Sequence, residues 1–322
     1  MTTFKEIRGT AVQSVSSDPS NPEAGQLWYN NSIGVLKGYQ LVAAAWASGG
    51  NLGTARNRLA GAGTQTEGLA FGGETTVNTT ATEEYNGSSW TGGGNMGTAR
   101  NALGGAGLQT AGLAFGGYTT DNTTATEEYN GSAWTGGGNL ATARRSVAGA
   151  GLQTAGLAFG GYATDFSNAT EEYDGSSWTS GGNLGTTRRS LAGCGIQTAG
   201  LAFGGANTSS SYLNATEEYD GSAWTGGGNM NTGRNNLAGT GTQTAGLAFG
   251  GYTGSVSAST EEYNGTSWTA STALTTARTL LAGAGSQTAG LGFGGYTTTV
   301  VANTEEYSGA ALATKTITTS TT

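Results

Sequence analysis

Six tryptophans, Trp46, Trp90, Trp134, Trp178, Trp224 and Trp268, stand 44, 44, 44, 46 and 44 residues apart, and almost everything around them repeats with them. Each unit reads, as from Trp90 to Gly131, W-T-G-G-G-N-M-G-T-A-R-N-A-L-G-G-A-G-L-Q-T-A-G-L-A-F-G-G, then a variable polar stretch, then A-T-E-E-Y-N-G. A repeat of this length is one supersecondary unit, copied and stacked. Composition sharpens the point. Sixty glycines against two prolines would ordinarily mark a disordered or collagen-like chain. Here the glycines keep the long period and alternate with Trp, Tyr and Phe at fixed offsets, the pattern of short strands and tight turns.

Four strands fit in each unit. Leu59–Gly63 and its counterparts are rich in Ala and Gly, as crowded inner strands require. Gly68–Gly73 places Leu69 and Phe71 on one face at period two. Thr82–Tyr85 and Ser88–Trp90 follow, joined at Asn86-Gly87, a pair suited to a two-residue type I′ turn. The device recurs at Asn130-Gly131, Asp174-Gly175, Asp220-Gly221 and Asn264-Gly265. A single four-stranded sheet cannot bury both faces, so such units must stack.

With F-G-G, E-E-Y and W in place, residues 46–320 resemble kelch repeats. The resemblance implies an all-β fold: a six-bladed kelch-type β-propeller with four antiparallel strands per blade, spanning residues 46–322 and preceded by a short N-terminal extension, residues 1–45. At the C-terminal end Leu312 stands at the expected tryptophan position, and Ala313–Thr319 reads as a weaker outer strand. At the front, Gly34–Gln40 and Trp46 look like an extra hairpin without inner strands, expected to close the last blade or lie against it.

The extension holds both prolines, Pro19 and Pro22, and none of the repeat. Its run Gly25-Gln26-Leu27-Trp28-Tyr29-Asn30, then Gly34-Val35-Leu36-Lys37-Gly38-Tyr39, resembles a short module of bacteriophage tail fibres and other virion proteins. Strand chemistry alone reads it equally as a cap or an attachment element; the resemblance implies attachment to other virion proteins, in multiple copies.

Charge and residue usage exclude several functions. A net charge of -8 with only 13 Lys and Arg argues against nucleic acid as a partner. Apolar stretches such as Leu41–Trp46 are too short for membrane insertion, and Met1–Thr10 lacks the order of a secretory signal, so no signal peptide is expected; the phage resemblance then implies synthesis in the host cytoplasm and residence in the virion. Some kelch propellers are copper oxidases, but a chain with no histidine has no imidazole for a metal or for general-base work. No catalytic residue, metal ligand or cofactor is assigned, and the chain is read as not an enzyme. Cys194 takes the place of Ala62, Ala106, Ala150 and Ala284 in the small-residue strand, which reads as a packed thiol.

Three repeated features remain. The glutamate pairs, such as Glu83-Glu84 and Glu127-Glu128, point to opposite faces of a strand, so they are not dyads; one of each is expected to bond between blades and the other to meet solvent. Arg56, Arg100, Arg144, Arg188, Arg234 and Arg278 form a symmetric set before the inner strands. They either grip carboxylate, sulfate or phosphate groups at a ligand mouth or make a repeated inter-blade salt bridge, and a feature needed in every blade usually serves the blade. Gln65, Gln109, Gln153, Gln197, Gln243 and Gln287 are read as satisfying turn backbone.

What varies is the loop between second and third strands: Glu74–Ala81, Tyr118–Ala125, Tyr162–Ala169, Ala206–Ala215, Tyr252–Ser259 and Tyr296–Asn303. Tyr118, Tyr162, Phe166, Tyr212, Tyr252 and Tyr296 are the candidate ligand-binding side chains, suited to stacking on host-surface glycan or a protein; the alternative is a set of merely solvated loops. The expected function is a bacteriophage virion structural protein, a tail-fibre or adhesin-like display scaffold. Its rivals are a capsid or tail decoration that binds no ligand, and a cellular kelch adaptor.

Overall fold

A computed structural model describes residues 12–209 and 211–317. The fold is all-β, built of repeated four-stranded sheets consistent with a β-propeller. Its chain divides into two units: Ala45–Ser308, and the N-terminal residues through Ala44 together with those from Gly309. Residues 1–11 of the proposed attachment segment, and Thr318 and Thr319 of the expected outer strand, lie outside the described residues.

The larger unit holds six four-stranded antiparallel sheets. In the first, strands Ala60–Gly63, Gly68–Phe71, Thr82–Tyr85 and Trp90–Gly92 lie side by side in sequence order. Ala62 pairs with Leu69, Leu69 with Glu84, and Tyr85 with Trp90. Four further sheets repeat this register. The sixth takes three strands from the C-terminal part of the repeat array, Ala282–Gly285, Ala289–Phe293 and Thr304–Ser308, and its fourth from Ala45–Ser48, with Trp46 opposite Tyr307. Trp46 thus stands where the other sheets have their own tryptophan.

Two expectations about the ends need correction. The strand around Leu312, Ala311–Thr316, pairs with Val35–Val42 in the smaller unit, leaving the sixth sheet's edge to Ala45–Ser48. Val35–Val42 and Ala45–Ser48 are therefore not a hairpin; they belong to different sheets. An edge strand that carries a tryptophan fills the packing site that Leu312 would leave short of an aromatic ring.

In the smaller unit Gln13–Val15, Leu27–Asn30, Val35–Val42 and Ala311–Thr316 form one sheet, its first pair parallel and the others antiparallel. Trp28 is fully buried there, and its indole N–H donates to Asp18 Oδ1 at 3.0 Å. Asn30 and Lys37 donate to the same carboxylate. These bonds, Lys37 foremost, hold the Asp18 carboxyl down at about 2.

Packing between sheets explains the glycine content. A Cβ on Gly105 would lie 2.8 Å from the Phe71 ring, closer than real side chains come, and a tight 3.0 Å from the Gly61 carbonyl oxygen. Bare backbone lets adjacent inner strands approach. The space further out is filled by large rings: Phe71 packs on Trp134 with centroids 4.9 Å apart, and Phe115 on Trp178 at 5.0 Å. Each buried ring or leucine contributes on the order of 1.5–3 kcal/mol. Indole N–H groups bridge sheets too, Trp134 to Thr82 Oγ1 and Trp178 to Thr126 Oγ1. The sixth sheet meets the first in the same way, with Trp90 on Phe293 at 4.9 Å and its N–H on Thr304 Oγ1.

The hairpin after the third strand differs from the expected two-residue turn. Residues 86–89 form a four-residue loop in which only Gly87 has positive φ, +86°, and Asn86 Oδ1 accepts the N–H groups of Ser88 and Ser89. A side chain thus replaces the tight backbone turn. Asp174 does the same, and these bonds lower its carboxyl to about 2.

Candidate functional site

The side chains that repeat without variation are consumed inside the framework. Arg56, Arg100, Arg144, Arg188, Arg234 and Arg278 are all 0% exposed. Arg144 Nη2 bonds Glu171 Oε1 at 2.6 Å, while its Nη1 donates to the carbonyls of Gly160 and Ala169. The equivalent ion pairs join Arg56 to Glu83, Arg100 to Glu127, Arg188 to Glu217, Arg234 to Glu261 and Arg278 to Glu305. These pairs lie within one sheet's own repeat, not between sheets, because each arginine sits in the segment that crosses from the preceding sheet to that sheet's first strand, residues 93–103 for Arg100. Burial disfavours the guanidinium charge and lowers these pKa values, with the glutamate opposing the shift. None of the six guanidiniums is placed to grip a ligand.

The glutamates divide their work differently from the sequence expectation. The first of each pair is buried, and besides its arginine it accepts a backbone N–H from the crossing segment, as Glu127 Oε2 does from Gly97 at 2.6 Å. The second is the one that bridges sheets: Glu84 accepts the Tyr129 hydroxyl and Glu128 the Tyr173 hydroxyl, each at 2.5 Å. Gln109 also bridges, its amide reaching the carbonyls of Gly68 and Tyr85 in the preceding sheet. Cys194 is buried with its thiol pushed up to about 12 by desolvation, so it is no nucleophile at neutral pH.

Beyond this framework lies a concavity of about 500 Å³, lined from all six repeats. Its inner part is aliphatic, with Leu59, Leu103, Val147, Leu191, Leu237 and Leu281. Above them come Arg58, Ala102, Ser146, Ser190, Asn236 and Leu280, the described non-glycine residues with positive φ, between 50° and 58°. Each donates its N–H to the carbonyl of its counterpart one repeat earlier, Ala102 to Arg58 at 2.8 Å and Ser146 to Ala102 at 2.7 Å. Arg58 in turn donates to the Leu280 carbonyl at 2.9 Å, so every member both gives and receives. Left-handed backbone at non-glycine residues is held only where surrounding structure enforces it, and it turns these side chains to the cavity wall.

The aromatic candidates separate into groups. Tyr118, Tyr162, Tyr252 and Tyr296 each pair by isolated bridges with the residue after the repeat arginine: Asn101, Arg145, Asn235 and Thr279. Tyr118, Tyr162 and Phe166 come together around two arginines. Arg145 lies 4.9 Å from the Tyr118 ring centroid and 4.8 Å from that of Tyr162. Arg189 lies 5.2 Å from Tyr162 and 5.1 Å from Phe166. Tyr212 and Tyr252 form a separate pair with centroids 6.0 Å apart, beside the repeat in which Ala206 replaces the tyrosine. Tyr296, 37% exposed, has no aromatic partner among the described residues. Of the six aromatic candidates, Tyr118 lines the cavity.

Arg58, Arg145 and Arg189 escaped the sequence reading. The signal was present: directly after the constant T-x-R step, the next two residues run Asn-Arg, Asn-Ala, Arg-Ser, Arg-Ser, Asn-Asn and Thr-Leu while their flanks hardly change. At the opposite end of the sheets, Leu108, Leu152 and Ile196 close three consecutive inner strands and are 47%, 47% and 54% exposed. Among the described residues no group of three or more His, Cys, Asp or Glu could hold a metal ion. No protein-family model matches the chain, and no curated protein does.

Proposed function

We propose that this chain is a non-catalytic binding protein, a closed six-bladed kelch-type propeller carried on a bacteriophage virion and presenting the rim of its concavity to a host-surface glycan or a neighbouring protein. The observation that carries the binding reading is the division of labour among side chains. Repeated Arg, Glu, Tyr, Trp and Gln residues are used up in internal bonds, whereas the positions just after the repeat arginines, which vary from repeat to repeat, line a 500 Å³ concavity. A constant scaffold with one variable, concave end is the arrangement of a recognition surface.

Closure is supported by the bonds between the last and first repeats: Arg58 N–H to the Leu280 carbonyl, Trp90 to Thr304, and Tyr85 to Glu306. Closing the ring removes exposed terminal sheets. The virion assignment rests on the resemblance of Gly25–Tyr39 to phage attachment modules, and it gives the smaller unit the attachment role.

The test is a glycan-array and whole-cell binding assay on the full chain beside a variant with Tyr118, Tyr162, Tyr252 and Tyr296 changed to alanine. Saturable binding that the variant loses supports the reading. Absence of binding to any glycan, cell or virion protein overturns it in favour of a purely structural particle component.

A further inference from the structure

The larger unit contains nine arginines and no lysine. Six are buried, each on its own glutamate. The remaining three, Arg58, Arg145 and Arg189, all line the same concavity. Arg58 is answered by Glu74 at 3.0 Å. Arg145 and Arg189 have no carboxylate within ion-pair distance among the described residues, although Asp121 and Asp165 lie in the neighbouring loops. Asp165 instead caps the N–H of Phe166.

Stacking prepares these two guanidiniums. Arg145 lies over the rings of Tyr118 and Tyr162, and Arg189 over those of Tyr162 and Phe166, so aromatic contacts hold both guanidiniums beside the concavity without using up their N–H donors. Arg145 spends one donor on Asn122 Oδ1 at 3.1 Å; among the described residues no hydrogen bond ties down the guanidinium of Arg189. Two like charges over one tyrosine ring repel each other, in a chain of net charge -8 that elsewhere in this unit answers each arginine with a carboxylate. An external anion removes that repulsion. Planar fork geometry suits a carboxylate or sulfate, which accepts two parallel N–H bonds.

Resting on the binding role above, we infer that the Arg145–Arg189 arc is an anion subsite and that the ligand is an acidic oligosaccharide, one carrying carboxylate or sulfate groups. The neighbouring wall favours a sugar over an acidic peptide. Ser146, Ser190 and Asn236 supply short hydroxyl and amide groups beside the arginines, and Leu191 and Leu237 form an apolar floor for sugar C–H faces. Neutral polar groups next to a charge clamp match a ligand in which hydroxyls outnumber acids.

The test uses the full chain and a panel of uronate, sialylated and sulfated oligosaccharides, each with its carboxyl-reduced or desulfated counterpart, plus a poly-glutamate peptide. Expected are binding to acidic members only, weakening as salt rises, and a loss on the order of tenfold or more in Arg145→Gln or Arg189→Gln. Arg145→Lys, which keeps charge without the fork, retains part of the affinity. Unchanged thermal unfolding separates this loss from misfolding. Equal binding of neutral counterparts, or full affinity in both glutamine variants, overturns the acidic subsite while leaving the binding role standing. Capture of poly-glutamate but no glycan overturns the sugar class. No binding to any probe, cell or particle protein removes both proposals.

Discussion

Tyr85 donates its phenolic hydrogen to Glu306, 221 residues further along the chain, at 2.5 Å. The same bond joins Tyr129 to Glu84 and Tyr263 to Glu218, so the link between the last and first repeats is chemically the same as the links between sequential ones. Burial and the adjacent carboxylate push the Tyr85 hydroxyl up to about 12.

A raised pKa on a group that stays neutral in the fold fixes the sign of the pH dependence. The stability from Tyr85, Tyr129, Tyr173, Tyr219 and Tyr263, each raised from 10.0 to about 12, is fully present below pH 10 and is lost as pH climbs towards 12. Thermal unfolding midpoints should stay level from neutral pH to about 10 and then fall, with tyrosinate absorbance of these groups appearing alongside unfolding. Tyr85→Phe should cost about 1–3 kcal/mol, by leaving Glu306 without its donor.

Arg144 and Glu171 should behave as a buried ion pair. Glu171→Gln or Arg144→Met alone leaves an uncompensated charge and should cost about 3–5 kcal/mol, measured by denaturant unfolding. Arg144→Met combined with Glu171→Leu should cost clearly less than the two single losses added together.

Trp46 should be worth as much as a tryptophan inside the repeats. It packs on Phe249 at 5.0 Å and bonds Thr260, as Trp134 packs on Phe71 at 4.9 Å and bonds Thr82. Trp46→Ala and Trp134→Ala should each destabilise by about 3–5 kcal/mol in the same unfolding experiment. A much smaller effect at Trp46 would mean that Ala45–Ser48 is a loosely held edge.

The strands of each repeat were legible in the sequence to within about two residues, because period-two alternation and paired glycines act locally. Partners across repeats were not. The order Glu-Glu-Tyr says that neighbouring side chains face opposite ways, but not that Glu83 turns to Arg56 of its own repeat while Glu84 meets Tyr129 of the next. Likewise Ala311–Thr316 follows a full repeat and reads as its outer strand, yet Ala45–Ser48 occupies that edge, a pairing decided by long-range contacts. At the site, the aromatic loops were recognised but Arg145 and Arg189 were hidden beside the repeat arginines Arg144 and Arg188. Their variation from repeat to repeat sets them apart from the constant arginines, and burial shows what the difference means: the constant ones are fully enclosed, whereas Arg145 and Arg189 line the concavity.

The most direct test of the account is to compare two variants that alter opposite ends of the same sheets, in cell- and glycan-binding assays on the full chain. One changes Tyr118→Ala, Arg145→Gln and Arg189→Gln at the concavity; the other changes Leu108→Ser, Leu152→Ser and Ile196→Ser at the far end, where the side chains are exposed and their loss leaves the core intact. The first variant is expected to lose binding while the second retains it. Retention by the first and loss by the second would place recognition on the apolar end and contradict the assignment of the concavity as the binding face.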